Sequence, residues 1–77
     1  MNEEDILANF GKSVQQARSE KGWSQEKLAE YSALDRTYVS SVERGQRNIS
    51  LINIYKLASA LDTTPGSLLQ VSGGCHE

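Results

Sequence analysis

Two helix-start signals, Ser24 and Asp35, stand eleven residues apart, and each is followed by apolar residues at helical spacing: Leu28 and Ala29, then Val39 and Val42. Eleven residues leave room for about two turns of helix, a three- or four-residue bend and the start of a second helix set across the first. The spacing therefore predicts a helix from the Ser24 cap to near Ser32 and another from the Asp35 cap to Arg44. Glu26 sits in the first turn of the former, where the helix dipole favours negative charge. Gly45 supplies the left-handed residue that stops the latter.

The flanking segments read as scaffold for this pair. From Asp5 to Lys21, Ile6, Leu7, Phe10, Val14 and Ala17 recur at three- and four-residue steps, one buried stripe on a helix that Gly22 ends. A polar loop runs from Gly45 to Ile49. Ser50 then caps a fourth helix whose apolar set is Leu51, Ile54, Tyr55, Leu57, Ala58 and Leu61, with Asn53, Lys56 and Ser59 pointing elsewhere. Thr64-Pro65 opens a short fifth helix ending about Gln70. With no strand pattern and no repeat, the expectation is an all-α fold of five helices: one domain over residues 1–71 and a flexible tail over 72–77, where Ser72-Gly73-Gly74 intervenes.

At 77 residues the chain can build one modest core. Its lone cysteine, Cys75, excludes an internal disulfide, and Cys75 beside the single His76 falls short of a four-donor metal site. No apolar run approaches a bilayer span and no signal segment opens the chain, so a reducing, cytoplasmic setting is expected. The formal net charge of -2 argues against crude electrostatic binding to nucleic acid, which normally shows as a basic excess. Its distribution matters more: Glu3, Glu4 and Asp5 make the start acidic, whereas residues 11–50 carry seven bases against five acids. Such a weak basic bias suits selection of particular sites.

Laid on a wheel at about 100° per residue, the helix after Asp35 has one wholly polar side. Arg36, Thr37, Ser40, Ser41 and Arg44 fall within an arc of about 140°, Val39 and Val42 face the opposite way, and Tyr38 lies on the border. An ordinary solvated helix favours Glu, Lys and Gln, which are better helix formers than Thr and Ser. Short side chains permit close approach to another surface. Arg36 has the planar fork that pairs with guanine O6 and N7, and Thr37 offers a hydroxyl or a methyl to a base edge. The expected partner is double-stranded DNA, met in the major groove.

These residues resemble the Cro and phage-repressor helix-turn-helix family, often called XRE-like, over roughly Phe10 to Leu69. The match is densest at Lys21-Gly22-x-Ser24-Gln25-x-x-Leu28-Ala29, at Asp35-Arg36-Thr37-Tyr38-Val39-Ser40 and at Glu43-Arg44-Gly45-x-Arg47-Asn48-Ile49-Ser50-Leu51. Within the family it looks most like the small homodimeric controller proteins that time restriction-modification genes. The resemblance implies a lambda-repressor-like domain. It implies that Arg36, Thr37 and Ser40 read base edges with Ser41 beside them, that Tyr38 reaches the backbone or the distorted centre of the site, and that Arg47 joins them. Gln25, Arg44, Asn48 and Ser50 match positions that grip phosphate without specifying sequence. Arg18 and Glu43 match an internal ion pair, which removes Arg18 from the DNA list. Ala33 stands where the family usually has the turn glycine, so it must adopt a positive φ or the turn must shift.

Trp23 and Tyr31 are assigned to satellite packing, not to base stacking. With one histidine and one cysteine at the chain's end and no Gly-rich phosphate loop, an enzyme is not expected, nor is a cofactor or a small-molecule effector. The rival reading is an antitoxin or other protein-interaction module on the same scaffold; its recognition helix would show apolar anchors where this one shows Arg, Thr and Ser. Because one recognition helix seldom provides useful specificity, a homodimer is expected, with Ile52, Tyr55, Leu68, Leu69 and Val71 as interface candidates, some of which must serve the monomer core instead. RNA polymerase is the further partner that such a regulator would exclude or recruit.

Overall fold

The computed structural model describes residues 2–69, among which there are five α-helices and no strand. Helix α1 spans Glu3–Glu20, α2 Gln25–Ser32, α3 Arg36–Glu43, α4 Leu51–Ala60 and α5 Pro65–Leu69. The first starts earlier than the apolar stripe predicts, because the Asn2 side chain accepts from the Asp5 backbone N–H at 2.8 Å and places Glu3, Glu4 and Asp5 in the favourable first turn. Ser24, Asp35 and Ser50 cap as expected, accepting from the backbone N–H groups of Lys27, Thr37 and Asn53 at 3.0–3.2 Å. Gln70, Val71, the tail over 72–77 and the Cys75-His76 pair lie outside the described residues.

Four of the helices close in one way. The N–H groups of Trp23, Leu34, Gln46 and Thr63 return to the carbonyls of Arg18, Ala29, Ser41 and Ala58 at 2.9–3.2 Å, each five residues back, which requires a left-handed residue before the donor. Gly22, Ala33, Gly45 and Asp62 fill those positions with φ between 59° and 72°. The turn after α2 therefore has not shifted: Ala33 takes φ 60° and ψ 33°, and bears the left-handed strain itself.

Phe10, Val14, Leu28, Ala29, Val39, Val42, Leu57, Ala58, Leu61 and Leu68 form the buried cluster. Helix α1 lies on α3 and α5, α2 on α3 and α4, and α4 on α5. At Gly11 the α1–α3 approach is so close that an added Cβ would stand 2.5 Å from the Val42 carbonyl oxygen and 2.6 Å from that of Glu43. Gly45 is held from the other side, where a Cβ would meet the Ala8 Cα at 2.9 Å. Two glycines thus let the first helix press on the last turn of α3.

Several periodicity-based assignments are corrected. Leu51, counted in the apolar set of α4, is exposed, because α4 buries only Leu57 and Ala58 fully, and Ile54 in part, against α2 and α5; Ile6 of the α1 stripe is exposed too, and Tyr55 is exposed in keeping with its place among the interface candidates. Leu68, predicted as an interface residue, is 2% exposed and belongs to the monomer core. Tyr31 is exposed at its outer edge, although its ring lies 4.8 Å from that of half-buried Trp23 and the two do pack together.

Candidate nucleic-acid interface

An eight-residue helix is marginal alone, so the direction of α3 is decided by what its buried side touches. Val39 and Val42 are fully enclosed. On the opposite side Arg36, Thr37 and Arg44 are exposed, and Ser40 and Ser41 are half-exposed. Among the described residues no helix covers that polar arc.

Glu43, at the inner end of α3, is only 8% exposed and would be costly to bury alone. It is met by three donors. Arg18 of α1 grips it with a fork, Nε to Oε2 at 2.7 Å and Nη2 to Oε1 at 3.0 Å, while Nη1 donates to the Trp23 carbonyl at 2.7 Å. Gln25, the first residue of α2, donates its amide to Glu43 Oε1 at 2.9 Å. One carboxylate therefore ties together α1, the start of α2 and the end of α3. Hydrogen bonding to Glu43, opposed by burial and supported by charge attraction, raises the Arg18 pKa above its ordinary value. A raised basic pKa contributes stability below the unfolded value and loses it only as pH climbs through the folded one, so this contribution is constant across any physiological pH.

The phosphate candidates are placed differently from one another. Gln25 is half-buried by its bond to Glu43, which leaves one amide hydrogen and the backbone N–H groups at the start of α2 facing outward. Ser50 is exposed; its oxygen accepts from Asn53, and its own hydroxyl hydrogen is left to donate beside exposed Asn48 at the positive end of α4. Arg44 folds back along α3, donating to Ser40 Oγ at 2.6 Å and to Gln46 Oε1 at 3.2 Å. Ser41 donates to the Thr37 carbonyl at 3.0 Å. Arg36 shares an open groove with Arg18, Ser24, Gln25 and Glu26.

Beyond the end of α3, the Arg47 guanidinium lies 5.0 Å from the centre of the Tyr38 ring, and the Tyr38 hydroxyl accepts from the Asn53 amide at 3.0 Å. The sequence points to Tyr38 and Arg47 but not to Asn53, whose partner lies fifteen positions away and leaves no local pattern. Gly11 was also missed, though a glycine inside a helix stripe costs about 1 kcal/mol and so signals a close contact. Among the described residues no helix is long and apolar enough to cross a membrane, and no three His, Cys, Asp or Glu side chains group to hold a metal ion.

This arrangement has relatives. The helix-turn-helix family pattern matches residues 14–68. The Neisseria hypothetical transcription factor of Neisseria meningitidis is 48% identical over 68 residues, 88% of this chain but 64% of that longer protein. Control protein C.BamHI of Bacillus amyloliquefaciens is 48% identical over 76 residues, 95% of this chain and 94% of its own. The crystal structure of the restriction-modification controller protein C.AhdI from Aeromonas hydrophila aligns at 58% identity with a TM-score of 0.79, covering 80% of this chain and 94% of that one. The restriction-modification controller protein C.Esp1396I, solved as a tetramer on its natural 35 base-pair operator, aligns at 33% identity with a TM-score of 0.76 over 82% of this chain and 83% of that one. With its two capped helices crossing at Ala33, its outward polar arc and these relatives, the chain belongs to the helix-turn-helix family.

Proposed function

We propose that this protein is a sequence-specific DNA-binding transcription regulator of the restriction-modification controller type. It acts as a symmetric dimer that places two α3 helices in successive major grooves, about 34 Å apart, on a pseudo-palindromic operator. The observation that carries this reading is the free polar arc of α3, opposite a fully buried apolar side. Arg36, Thr37, Ser40 and Ser41 would read base edges, with Tyr38 and Arg47 at the edge of the site. Gln25, Arg44, Asn48, Ser50 and the starts of α2 and α4 would hold phosphates. The dimer would form through exposed apolar side chains of α4 and α5: Ile52, Tyr55 and Leu69 from the sequence expectation, joined by Leu51. Neither catalysis nor an effector enters this mechanism, and a regulator acting at promoters beside RNA polymerase would work in the cytoplasm.

Of the exposed large apolar side chains among the described residues, four lie on α4 and α5, one each on α1 and α2, and none on α3, which favours a regulator over a module that docks proteins through its recognition helix. Selecting binding sites from random duplex DNA tests the proposal. Recovery of an inverted repeat, with Arg36→Ala losing about 5- to 150-fold on that site and far less on random DNA, is the expected result. Equal losses on both would remove Arg36 from the reading role, and enrichment of no sequence would refute the proposal.

A further inference from the structure

We infer that Asn53, a residue of α4 outside the helix-turn-helix, is a positioning residue for the DNA-reading surface: it holds the Tyr38 hydroxyl and, through the ring, the resting place of Arg47. The inference rests on the proposed function. Tyr38 is on the border of the polar arc, half-buried, its ring packed against the core cluster, and among the described residues no group of α3 hydrogen-bonds its hydroxyl, which is left to be restrained from outside the helix. The amide of Asn53 supplies that restraint at 3.0 Å, from a backbone position locked by the Ser50 cap. Because Asn53 donates, the phenol oxygen is the acceptor in this bond, and the phenol hydrogen is left to point outward as a donor. Arg47 stacks over the same ring, so a long and otherwise free side chain in the loop after α3 is kept beside the reading helix. Two groups that would meet acceptors on DNA are thereby presented together, and the ordering cost of each is lowered before binding.

A double-mutant cycle on the site selected from random DNA tests this. Asn53→Ala alone is expected to weaken binding about five- to tenfold, the loss of one hydrogen bond's worth of ordering, while random DNA is bound almost as before. Tyr38→Phe, which keeps the ring and its packing, should lose at least as much. In the Phe background Asn53→Ala should then change nothing further. In the DNA-free protein, the Arg47 side-chain protons should carry an upfield ring-current shift in the NMR spectrum that diminishes in Asn53→Ala. Losses that multiply in the double variant, an unaffected Asn53→Ala, or equal loss on selected and random DNA would overturn the inference while leaving the regulator reading intact. Failure of the unaltered protein to select any DNA would overturn both. Unchanged Arg47 shifts in a folded Asn53→Ala would overturn the inference without reference to DNA.

Discussion

Replacing either partner of the Arg18–Glu43 pair should damage this protein more than almost any other polar substitution, and the two should not be equivalent. The Glu43 side chain is 3% exposed and that of Arg18 14%. With Arg18→Ala, the carboxylate stays buried with only the Gln25 amide as donor, so the cost should approach the upper part of the range for a broken buried pair, about 3–5 kcal/mol. With Glu43→Ala, the guanidinium keeps the Trp23 carbonyl and some access to water, and the cost should fall to about 2–3 kcal/mol. A domain of this size is stable by only about 4–12 kcal/mol, so either change removes a large fraction. Calorimetry or urea unfolding reads the result directly, with about 4–8 °C lost per kcal/mol. Arg18→Met combined with Glu43→Leu removes both charges and fills the space, and should recover most of the stability of the single variants. It should not recover DNA affinity, because the three-way tie among α1, α2 and α3 is gone. Single variants that each cost under about 1 kcal/mol and add in the double would refute the claim that a buried network joins these helices.

Gly11→Ala forces a methyl against two backbone carbonyls that cannot move without displacing α3; thermal unfolding should show a loss of about 2–3 kcal/mol, although alanine is the better helix former. Ala33→Gly should behave in the opposite way, leaving stability unchanged or higher by up to about 1 kcal/mol in the same assay, since relief of the left-handed strain offsets the extra freedom of the unfolded chain. Gln25→Ala should weaken binding to all DNA alike and also lower the melting temperature, because the amide serves Glu43 as well as facing the backbone; a binding loss confined to one sequence would contradict that assignment.

What was legible in the sequence follows the range of the forces involved. Caps act within three residues, and Ser24, Asp35 and Ser50 announced three helix starts correctly. The polar arc of α3 was legible because Val39 and Val42 make the opposite side unambiguous. In α4 the periodicity misplaced Leu51, since it is as apolar as Leu57 and no local signal tells a core-facing residue from one left outward. Leu68 was misassigned for the mirror reason: a five-residue helix has too short a pattern to show which face is inward. Gln25 and Asn53 were half-read or missed because their partners, Glu43 and Tyr38, are distant in sequence and near only in the fold.

Under the proposed function, these distant contacts explain how so short a helix would act as a reading element. Isolated helices below about 12 residues are marginal in water, so α3 owes both its existence and its direction to its surroundings. Two valines bury its inner side, Arg18 and Gln25 hold its end through Glu43, and Asn53 holds Tyr38 on its flank. The outward side chains, held only by exposed local bonds such as Arg44 to Ser40 and Ser41 to the Thr37 carbonyl, are those whose ordering DNA would drive in the proposed mode. A stiff helix with adaptable Arg, Thr and Ser tips confines the entropy lost on binding to a few rotamers, so that a mismatched base forfeits its contact without any relaxation of the backbone to recover it. In the proposed binding mode, discrimination between sites would therefore depend on the inward-facing Val39, Val42, Arg18 and Glu43 as much as on the outward-facing side chains.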